Sequence, residues 1–504
     1  MSYKSDIFII LCTIICVVLF SILGLYFAGL STAILIVFIL PLSWLSYNYP
    51  KIGLILLLVY LHFHGSVIYS FGDIFKKIDG YIVHTYDYVL FQLAKDFIYI
   101  PVLLALVFTT KTLQELLPRI KAILLWLLIF IGCCLSVFLF INIPSQLSNP
   151  NSNHLLIGFV GLKVWLSYIP LILCGFYFLQ RFNDLLLLNR LLIVIIFVCC
   201  CLCLTQYSFL LNEICPGNTT LADPARFRAS LQAQCFFGGS LLYNPELGLI
   251  RLPGTFASPW HWAWFLISSI FIAYGSGVCD PSRRWQTMSW ITIISIFAAT
   301  IVSGQRTALL LVPLIFLSLL FVTRKRKRWL SLKLLVISLI IYILVREFPL
   351  IREQIDSFVL RWNYSPPQEF IANQLNWLWQ NYLTLLGNGI GTATNAASFL
   401  GKVQFIETFH VKLLFELGII SSLVFLGLIT SICYCLFKIV FTLRSSGLRQ
   451  LSICLWLFII LVSYNPFFYP LAIDPVAIYY WFFVGIILKL PDLDKQILNQ
   501  DAVQ

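Results

Sequence analysis

Long apolar runs recur along the whole chain, and they constrain its fold more than any other feature. Each run holds roughly 17 to 25 residues, the length that an α-helix needs to cross a bilayer. Hydrophobic residues make up 60% of the 504 residues and charged residues only 11%. A soluble chain of this length would need a polar surface on every domain. The sequence therefore predicts an all-α polytopic membrane protein that forms a single membrane domain over residues 1–504.

Between about 12 and 14 of these runs can be drawn as transmembrane helices. The run at residues 7–28 has full spanning length with no small-residue cleavage site behind it, so we expect a span rather than a signal peptide. The run near Leu104 is the shortest. The predicted spans are centred near Val17, Ile36, Val59, Leu104, Phe130, Ser167, Ile195, Ser268, Ile294, Pro313, Ile337, Leu423, Ile459 and Phe482.

Basic residues fall in every second loop, which predicts the orientation because Lys and Arg concentrate in cytoplasmic loops. Both termini are then cytoplasmic. The net charge of +12 and the "RKRKR" run at 324–328 are interpreted as topology signals and a stop-transfer anchor, with anionic lipid as partner and no nucleic acid.

The long loops lie on the opposite, outward side, at residues 71–96, 141–154, 212–259 and 346–409. In the last loop, "LIREQIDSFVLRW" and "NQLNWLWQNYLTLL" show apolar residues at helical spacing, separated by Pro366 and Pro367. They predict two amphipathic helices in a lid loop. Cys215 and Cys235 share the loop 212–259, and the sequence leaves open whether they form a disulfide.

Three polar features reach this outward face. Arg251 precedes a Pro-Gly turn before a span, Arg306 stands at the tight connection between two spans, and Glu407, His410 and Glu416 mark the entrance of another. Ionisable residues at the membrane are costly and often functional, so Arg306 and Glu416 form one candidate pair.

Each of these residues also has a simpler interpretation. Arg306 and Lys163, a weaker candidate for phosphate contact, can snorkel to the interface. His410 can be an ordinary interfacial residue, and Glu416 can bond a neighbouring helix. The stretch "LLGNGIGTATNAASFLG" carries alternate glycines, including Gly389 and Gly391, which suit either a phosphate-cradling loop or a turn between surface helices.

Taken together, two guanidinium groups can clamp phosphate oxygens, and a neutral imidazole beside them can accept a proton. This combination suits a diphosphate leaving group without a metal ion. The sequence has no His-x-x-x-His and no outward Asp-x-Asp, so no metal site and no cofactor are expected.

The order of these segments resembles the O-antigen ligase and Wzy-type polymerase superfamily of bacterial envelope glycan assembly. "RLPGTFASPWHWAWFL" resembles its Arg-x-x-Gly-[ST]-Phe-x-x-Pro entry to a span, and "SGQRTALLLVPLIF" its Ser-x-x-Arg-[GT]-Ala motif. "GNGIGTA" and "ETFHVKLLFELGII" resemble its Gly-x-Gly turn and its His-containing helix, with a shorter His-to-Glu spacing. Val411 follows the histidine where many members have Asn, which removes an expected acceptor contact.

The resemblance implies a multi-pass protein of the bacterial inner membrane that transfers glycan at its periplasmic face from a polyprenyl-diphosphate-linked donor to a glycan or lipid acceptor. The reaction would be metal-independent and would invert the anomeric carbon. Arg251 and Arg306 would hold the diphosphate, and His410 would be the base or orienting group. A flippase and a chain-length regulator are the expected assembly partners.

Two alternatives stay open. A polymerase is favoured slightly over a ligase, but the sequence does not identify the acceptor or the sugar. A transporter or flippase of lipid-linked glycans is the alternative class; it would more often carry charges near the bilayer midplane and Gly or Pro breaks in two related halves.

Overall fold

The computed structural model describes residues 30–70, 77–78, 81–82, 86–108, 110–223, 225–323, 346–347, 349–364, 366–398, 400–466 and 470–503. The predicted spans near Val17 and Ile337 and the basic run 324–328 lie outside these residues. The statements below concern the described part of the chain.

Helices account for most of the described chain. They are α1 (Leu30–Asn48), α2 (Pro50–Ser70), α3 (Tyr86–Phe108), α4 (Thr110–Leu116), α5 (Lys121–Val137), α6 (Ile143–Ser148), α7 (His154–Leu166), α8 (Leu171–Phe178), α9 (Phe182–Leu211), α10 (Pro259–Cys279), α11 (Arg283–Val302), α12 (Arg306–Val322), α13 (Pro349–Tyr364), α14 (Pro367–Asn381), α15 (Phe409–Thr442), α16 (Ser446–Tyr464) and α17 (Val476–Val503). A π-helical turn, Phe138–Asn142, joins α5 to α6.

The described strands form two short antiparallel hairpins. Strand β1 (Lys77–Ile78) pairs with β2 (Tyr81–Ile82), and β3 (Leu242–Asn244) pairs with β4 (Leu249–Arg251). In the second hairpin Leu242 lies opposite Arg251, and Gly248 adopts the left-handed conformation at the turn. These hairpins occupy the segments that the sequence predicts as loops.

Nine helical segments of the described chain are long and apolar enough to cross a membrane. Two of them join shorter helices, Lys121–Ser148 over α5 and α6 and His154–Phe178 over α7 and α8. The nine segments coincide with nine predicted spans, those centred near Val59, Phe130, Ser167, Ile195, Ser268, Ile294, Leu423, Ile459 and Phe482. The pair Leu93–Phe108 and Lys111–Arg119, bent by 80°, brings the number to ten if it is one span. The predicted spans near Ile36 and Pro313 are shorter apolar helices, Ile36–Asn48 and Arg306–Val322. A polytopic all-α membrane protein is thus confirmed, while the side of each loop stays a prediction.

Proline begins four of these helices, namely α2 (Pro50), α10 (Pro259), α13 (Pro349) and α14 (Pro367). Proline suits the first helical position because its fixed φ is helical and its missing N–H has no partner there. Pro366 adds an extended residue before α14, at φ −62° and ψ 133°. The two predicted amphipathic helices are therefore present and separated at the proline pair.

Two loop boundaries differ from expectation. The predicted loop at 71–96 ends earlier, since α3 already begins at Tyr86, and the one at 141–154 begins later because the π-turn carries the helix on to Ser148. Residues 212–258 lie between the end of α9 and the start of α10.

The chain divides into two compact units, residues 1–113 with 197–262 and residues 114–196 with 263–504. In the first unit α1, α2 and α3 pack together around Ile39, Ile68, Tyr69 and Ala94. Cys215 and Cys235 form a disulfide within its loop. The Thr255 hydroxyl donates to the carbonyl of His62 on α2 at 2.7 Å, which ties the end of this loop to the helices.

In the second unit α15, α16 and α17 pack on one another, α5 packs on α15, and α8 packs on α17. The contact of α8 with α17 is close because Gly175 and Gly485 face the partner backbone, where a Cβ would overlap Phe482 and Ile172. This unit holds Arg306, His410 and Glu416.

Candidate functional site

Arg306 is the first residue of α12. The connection from α11 consists of Ser303, Gly304 and Gln305, and Gly304 makes the reversal by adopting φ 62°. The Arg306 side chain is half-buried. The first N–H groups of a helix have no partner within it and form its positive end. At the start of α12 this positive end also carries the guanidinium group of Arg306.

Gln305 is the residue that caps this helix, and the sequence analysis missed it. Its carbonyl accepts from Leu309 N at 2.9 Å, but its side chain makes no capping hydrogen bond. The side chain is 8% exposed, and its Nε2 has no hydrogen-bond partner among the described residues. Only its place directly before Arg306 could have pointed to it.

His410 is the second residue of α15 and is half-buried. Its ring meets the Phe409 ring edge-on at 5.7 Å between centroids. The start of this helix is fixed from two sides, because Phe409 N donates to Pro466 O at 3.1 Å and Thr408 N donates to Gln374 Oε1 at 3.1 Å. Helix α14, which carries Gln374, therefore helps to position His410.

Glu416 is fully buried and is held by three neutral donors. Its Oε1 accepts from Ala393 N at 2.8 Å and from Thr394 Oγ1 at 2.9 Å, and its Oε2 accepts from Trp165 Nε1 at 2.7 Å. Arg306 is not one of these donors. The contacts therefore match the simpler interpretation, in which Glu416 bonds neighbouring elements, here α7 and the loop before α15.

The glycine-rich loop at 387–391 packs against α7 through its backbone. Gly387, Gly389 and Gly391 all have positive φ, at 81°, 112° and 87°. A Cβ on Gly391 would overlap the carbonyl of Ile157 on α7, and one on Gly161 would overlap Gly391 itself. Only glycine fits these positions.

Several amides in and after this loop donate within the protein. Ile390 N donates to Asn142 Oδ1 at 2.9 Å, while Asn142 Nδ2 donates back to Ile390 O at 3.0 Å. Asn388 N donates to Phe415 O, Thr394 N to Gly391 O and Ala393 N to Glu416. The amides of Gly389 and Gly391 are not among these donors, so the phosphate cradle and the structural turn both stay predictions at these two residues.

Helix α15 is broken at Gly418, which has φ 77° and ψ −178°. Residues 384–388 fill the break, because Ile419 N donates to Thr384 O at 3.2 Å and Ile420 N to Leu385 O at 3.3 Å. On the other side of the break, Phe415 O accepts from Asn388 N at 2.8 Å. The loop thereby takes up backbone groups that a break would otherwise leave unpaired in an apolar environment.

Lys412 is a second residue that sequence reasoning missed. It lies one turn before Glu416 on α15, is 1% exposed, and places its Nζ 5.9 Å from the centre of the Trp165 ring. Lys412 and Glu416 are both buried and both contact this tryptophan, Lys412 over its ring and Glu416 through its indole N–H. Lys163 lies on the same helix as Trp165 but is half-buried.

Arg251 belongs to the first unit, at the end of β4, and is half-buried. The predicted Pro-Gly turn follows it, since Phe256 N donates to Pro253 O at 3.0 Å and Gly254 has φ 55°. Glu407 is half-buried, two residues before α15. The convergence of Arg251 with Arg306 and His410 stays a prediction.

No family model matches the chain, and no curated protein is significantly similar to it. Among the described residues, no group of three or more His, Cys, Asp or Glu side chains could hold a metal ion.

Proposed function

We propose that the protein is a membrane glycosyltransferase of the O-antigen ligase or polymerase type. It would transfer or polymerise glycan from a polyprenyl-diphosphate-linked donor at the periplasmic face of the bacterial inner membrane, in surface polysaccharide synthesis. The motif order over residues 251–420 is the basis for this family, and polymerase is slightly favoured over ligase.

The observation that carries the proposal is Arg306 at the first position of an apolar helix. A helix N-terminus favours anions through its free N–H groups and its dipole, and an arginine adds a permanent charge with a bidentate fork. A diphosphate at the membrane surface presents the oxygens that such a site binds. A snorkelling anchor would not need its guanidinium group to lie at a helix N-terminus. The position of Arg306 therefore supports the binding of an anionic lipid head group better than a role as a snorkelling anchor.

In the proposed reaction His410 accepts the proton of the incoming acceptor hydroxyl. The hydroxyl oxygen forms a bond to the anomeric carbon from the side opposite the diphosphate, and the bond from that carbon to the diphosphate oxygen breaks, which inverts the configuration. Arg306 and Arg251 neutralise the negative charge that develops on the departing diphosphate. The proton rests on the imidazole, and the lipid diphosphate leaves as the second product.

Transfer by purified protein tests the proposal. Arg306→Ala should lower turnover by roughly a hundredfold or more, the loss expected for one charge-stabilising donor in a dry site, and His410→Ala by about 10² to 10⁴. The matched control is Arg283→Ala, because Arg283 is also the first residue of an apolar helix, α11, but is exposed and on the predicted cytoplasmic side. Near-normal transfer by both variants would remove the two residues from the mechanism.

A second assay separates the two glycan-assembly roles. Cells that lack the gene should lose the length ladder of surface glycans while single units remain if the protein is a polymerase. Accumulation of lipid-linked polymer would indicate a ligase instead.

One observation favours the alternative, a transporter or flippase of lipid-linked glycans. Helix α15 is discontinuous and carries the buried charges of Lys412 and Glu416, and broken helices with such charges often form transporter sites. A transporter would move lipid-linked glycan across proteoliposomes without making a glycosidic bond. Detection of a new glycosidic bond by the purified protein decides for the enzyme.

A further inference from the structure

We infer that Gln305 is a ligand-binding residue that donates a hydrogen bond from Nε2 to an oxygen of a diphosphate held at the N-terminus of α12. The inference rests on the proposed function for the identity of the ligand. Gln305 would supply a neutral side-chain donor directly beside Arg306.

The Gln305 side-chain amide is buried. The side chain is 8% exposed, and its Nε2 lies buried with no partner among the described residues. A buried N–H that has lost its water without gaining a protein acceptor destabilises the fold. An acceptor that arrives with a ligand accounts for such a group.

The Gln305 side chain belongs to the N-terminus of α12. Gln305 is the N-cap residue of α12, a helix of 17 residues, so its side chain starts beside the first-turn N–H groups of that helix. Glutamine is an unusual cap, and its side chain accepts no hydrogen bond from the helix. The tight turn with φ 62° at Gly304 sets this residue between the turn and Arg306.

The groups around Gln305 indicate the chemical class of the ligand. The helix N-terminus, the Arg306 guanidinium and the Gln305 amide all supply donors or positive charge, and no carboxylate belongs to the segment 303–308. Phosphate and diphosphate oxygens accept from all three kinds of donor. The ligand class is therefore a phosphate ester or diphosphate, as a free anion or as a lipid head group.

Two substitutions test the donor. Gln305→Met keeps the size of the side chain and removes the amide, and Gln305→Glu replaces the donor with a negative charge. Inorganic pyrophosphate and farnesyl diphosphate are the probes, with binding measured by calorimetry on the purified full chain in detergent. Binding of both probes indicates a site for the diphosphate group alone, while binding of farnesyl diphosphate only indicates that the lipid contributes.

We expect Gln305→Met to weaken binding about tenfold, the loss of one hydrogen bond to a charged group. Gln305→Glu should weaken it more, because it adds repulsion. Without ligand, Gln305→Met should unfold at the same or a higher temperature than the unmodified protein, since it removes a buried unpaired donor. A residue with a purely structural role would show the opposite, a lower unfolding temperature with unchanged affinity.

Gln286→Met and Gln286→Glu are the matched controls. Gln286 lies in the first turn of α11, and its Nε2 already donates to Asp280 O at 2.9 Å. These variants should bind both probes as the unmodified protein does. Unchanged affinity in both Gln305 variants, which a water molecule bonded to Nε2 would produce, overturns the inference.

The outcome is separable from that of the proposed function. If the Gln305 variants lose affinity but no glycan transfer occurs, the diphosphate site stands and the enzyme assignment falls. If transfer occurs while the Gln305 variants bind and react normally, the enzyme assignment stands and the role of Gln305 falls.

Discussion

Glu416 gives the most direct test of the polar centre between α7, the glycine-rich loop and α15. Its two oxygens accept from Trp165 Nε1, Ala393 N and Thr394 Oγ1, at 2.7 to 2.9 Å. The hydroxyl of Thr394 can rotate to another acceptor, whereas the indole and the backbone N–H cannot. Replacement of the carboxylate can therefore leave the Trp165 indole N–H and the Ala393 backbone N–H without an acceptor.

Glu416→Gln keeps one accepting oxygen but turns an NH₂ group toward a donor. Each hydrogen bond to a charged group is worth about 1.5 to 3 kcal/mol, and a buried donor left unpaired costs a similar amount. We expect a loss of about 2 to 4 kcal/mol in the free energy of unfolding. Glu416→Leu should cost more, since it removes both accepting oxygens from these three donors.

The assay is reversible unfolding of the purified protein in detergent, and the control is Glu369→Gln. Glu369 lies in the first turn of α14 and is exposed, so its amide variant should change stability by less than about 0.5 kcal/mol. A double-mutant cycle with Trp165→Phe isolates the indole bond, and the two losses should not add. Equal unfolding of the Glu416→Gln and Glu369→Gln variants would refute the reasoning.

Three further substitutions probe the framework. Gly418→Ala should cost on the order of 3 kcal/mol or more, because a Cβ there overlaps the inserted loop and φ 77° with ψ −178° suits glycine alone; recovery of normal amounts of monodisperse protein would contradict this. Asp280→Asn should lower the free energy of unfolding by about 2 kcal/mol through loss of its bidentate pair with Arg190, at 2.8 and 3.1 Å; unchanged unfolding would argue that solvent compensates the arginine. Cys215→Ser should cost about 3 kcal/mol by opening a bridge over a separation of 20 residues, and alkylation of the unmodified protein should label neither Cys215 nor Cys235 before reduction.

Much of the helical framework follows from local sequence. Nine predicted spans are apolar helices of sufficient length, and the proline pair separates the two amphipathic helices where expected. These features depend on run length and on proline chemistry, which need no tertiary information. The disulfide, which the sequence left open, needed the fold of the loop 212–259 to bring Cys215 to Cys235.

The break in α15 could not be predicted from the sequence around it. "LLFELGIISSLVF" has the composition of a continuous apolar helix, and one glycine inside it is ordinary in a membrane span. The break depends on residues 384–388, which supply partners for the freed backbone groups. The burial of Lys412 is non-local in the same way. Its position at a span entrance resembles that of a snorkelling lysine, and only the fold brings the Trp165 ring against it.

The position of the ionisable residues bears on the choice between enzyme and transporter. Arg306 and His410 lie in the first turns of their helices, and Glu416 is only roughly 10 Å along α15 from Phe409, in a helix of 34 residues. A transport site at the bilayer midplane would place its charges farther from the helix end. The break at Gly418 is also closed by protein, since Phe415 O already accepts from the Asn388 backbone and side chain. The buried charges therefore fit a support that fixes the entrance of α15, where His410 stands, better than an ion site that opens and closes.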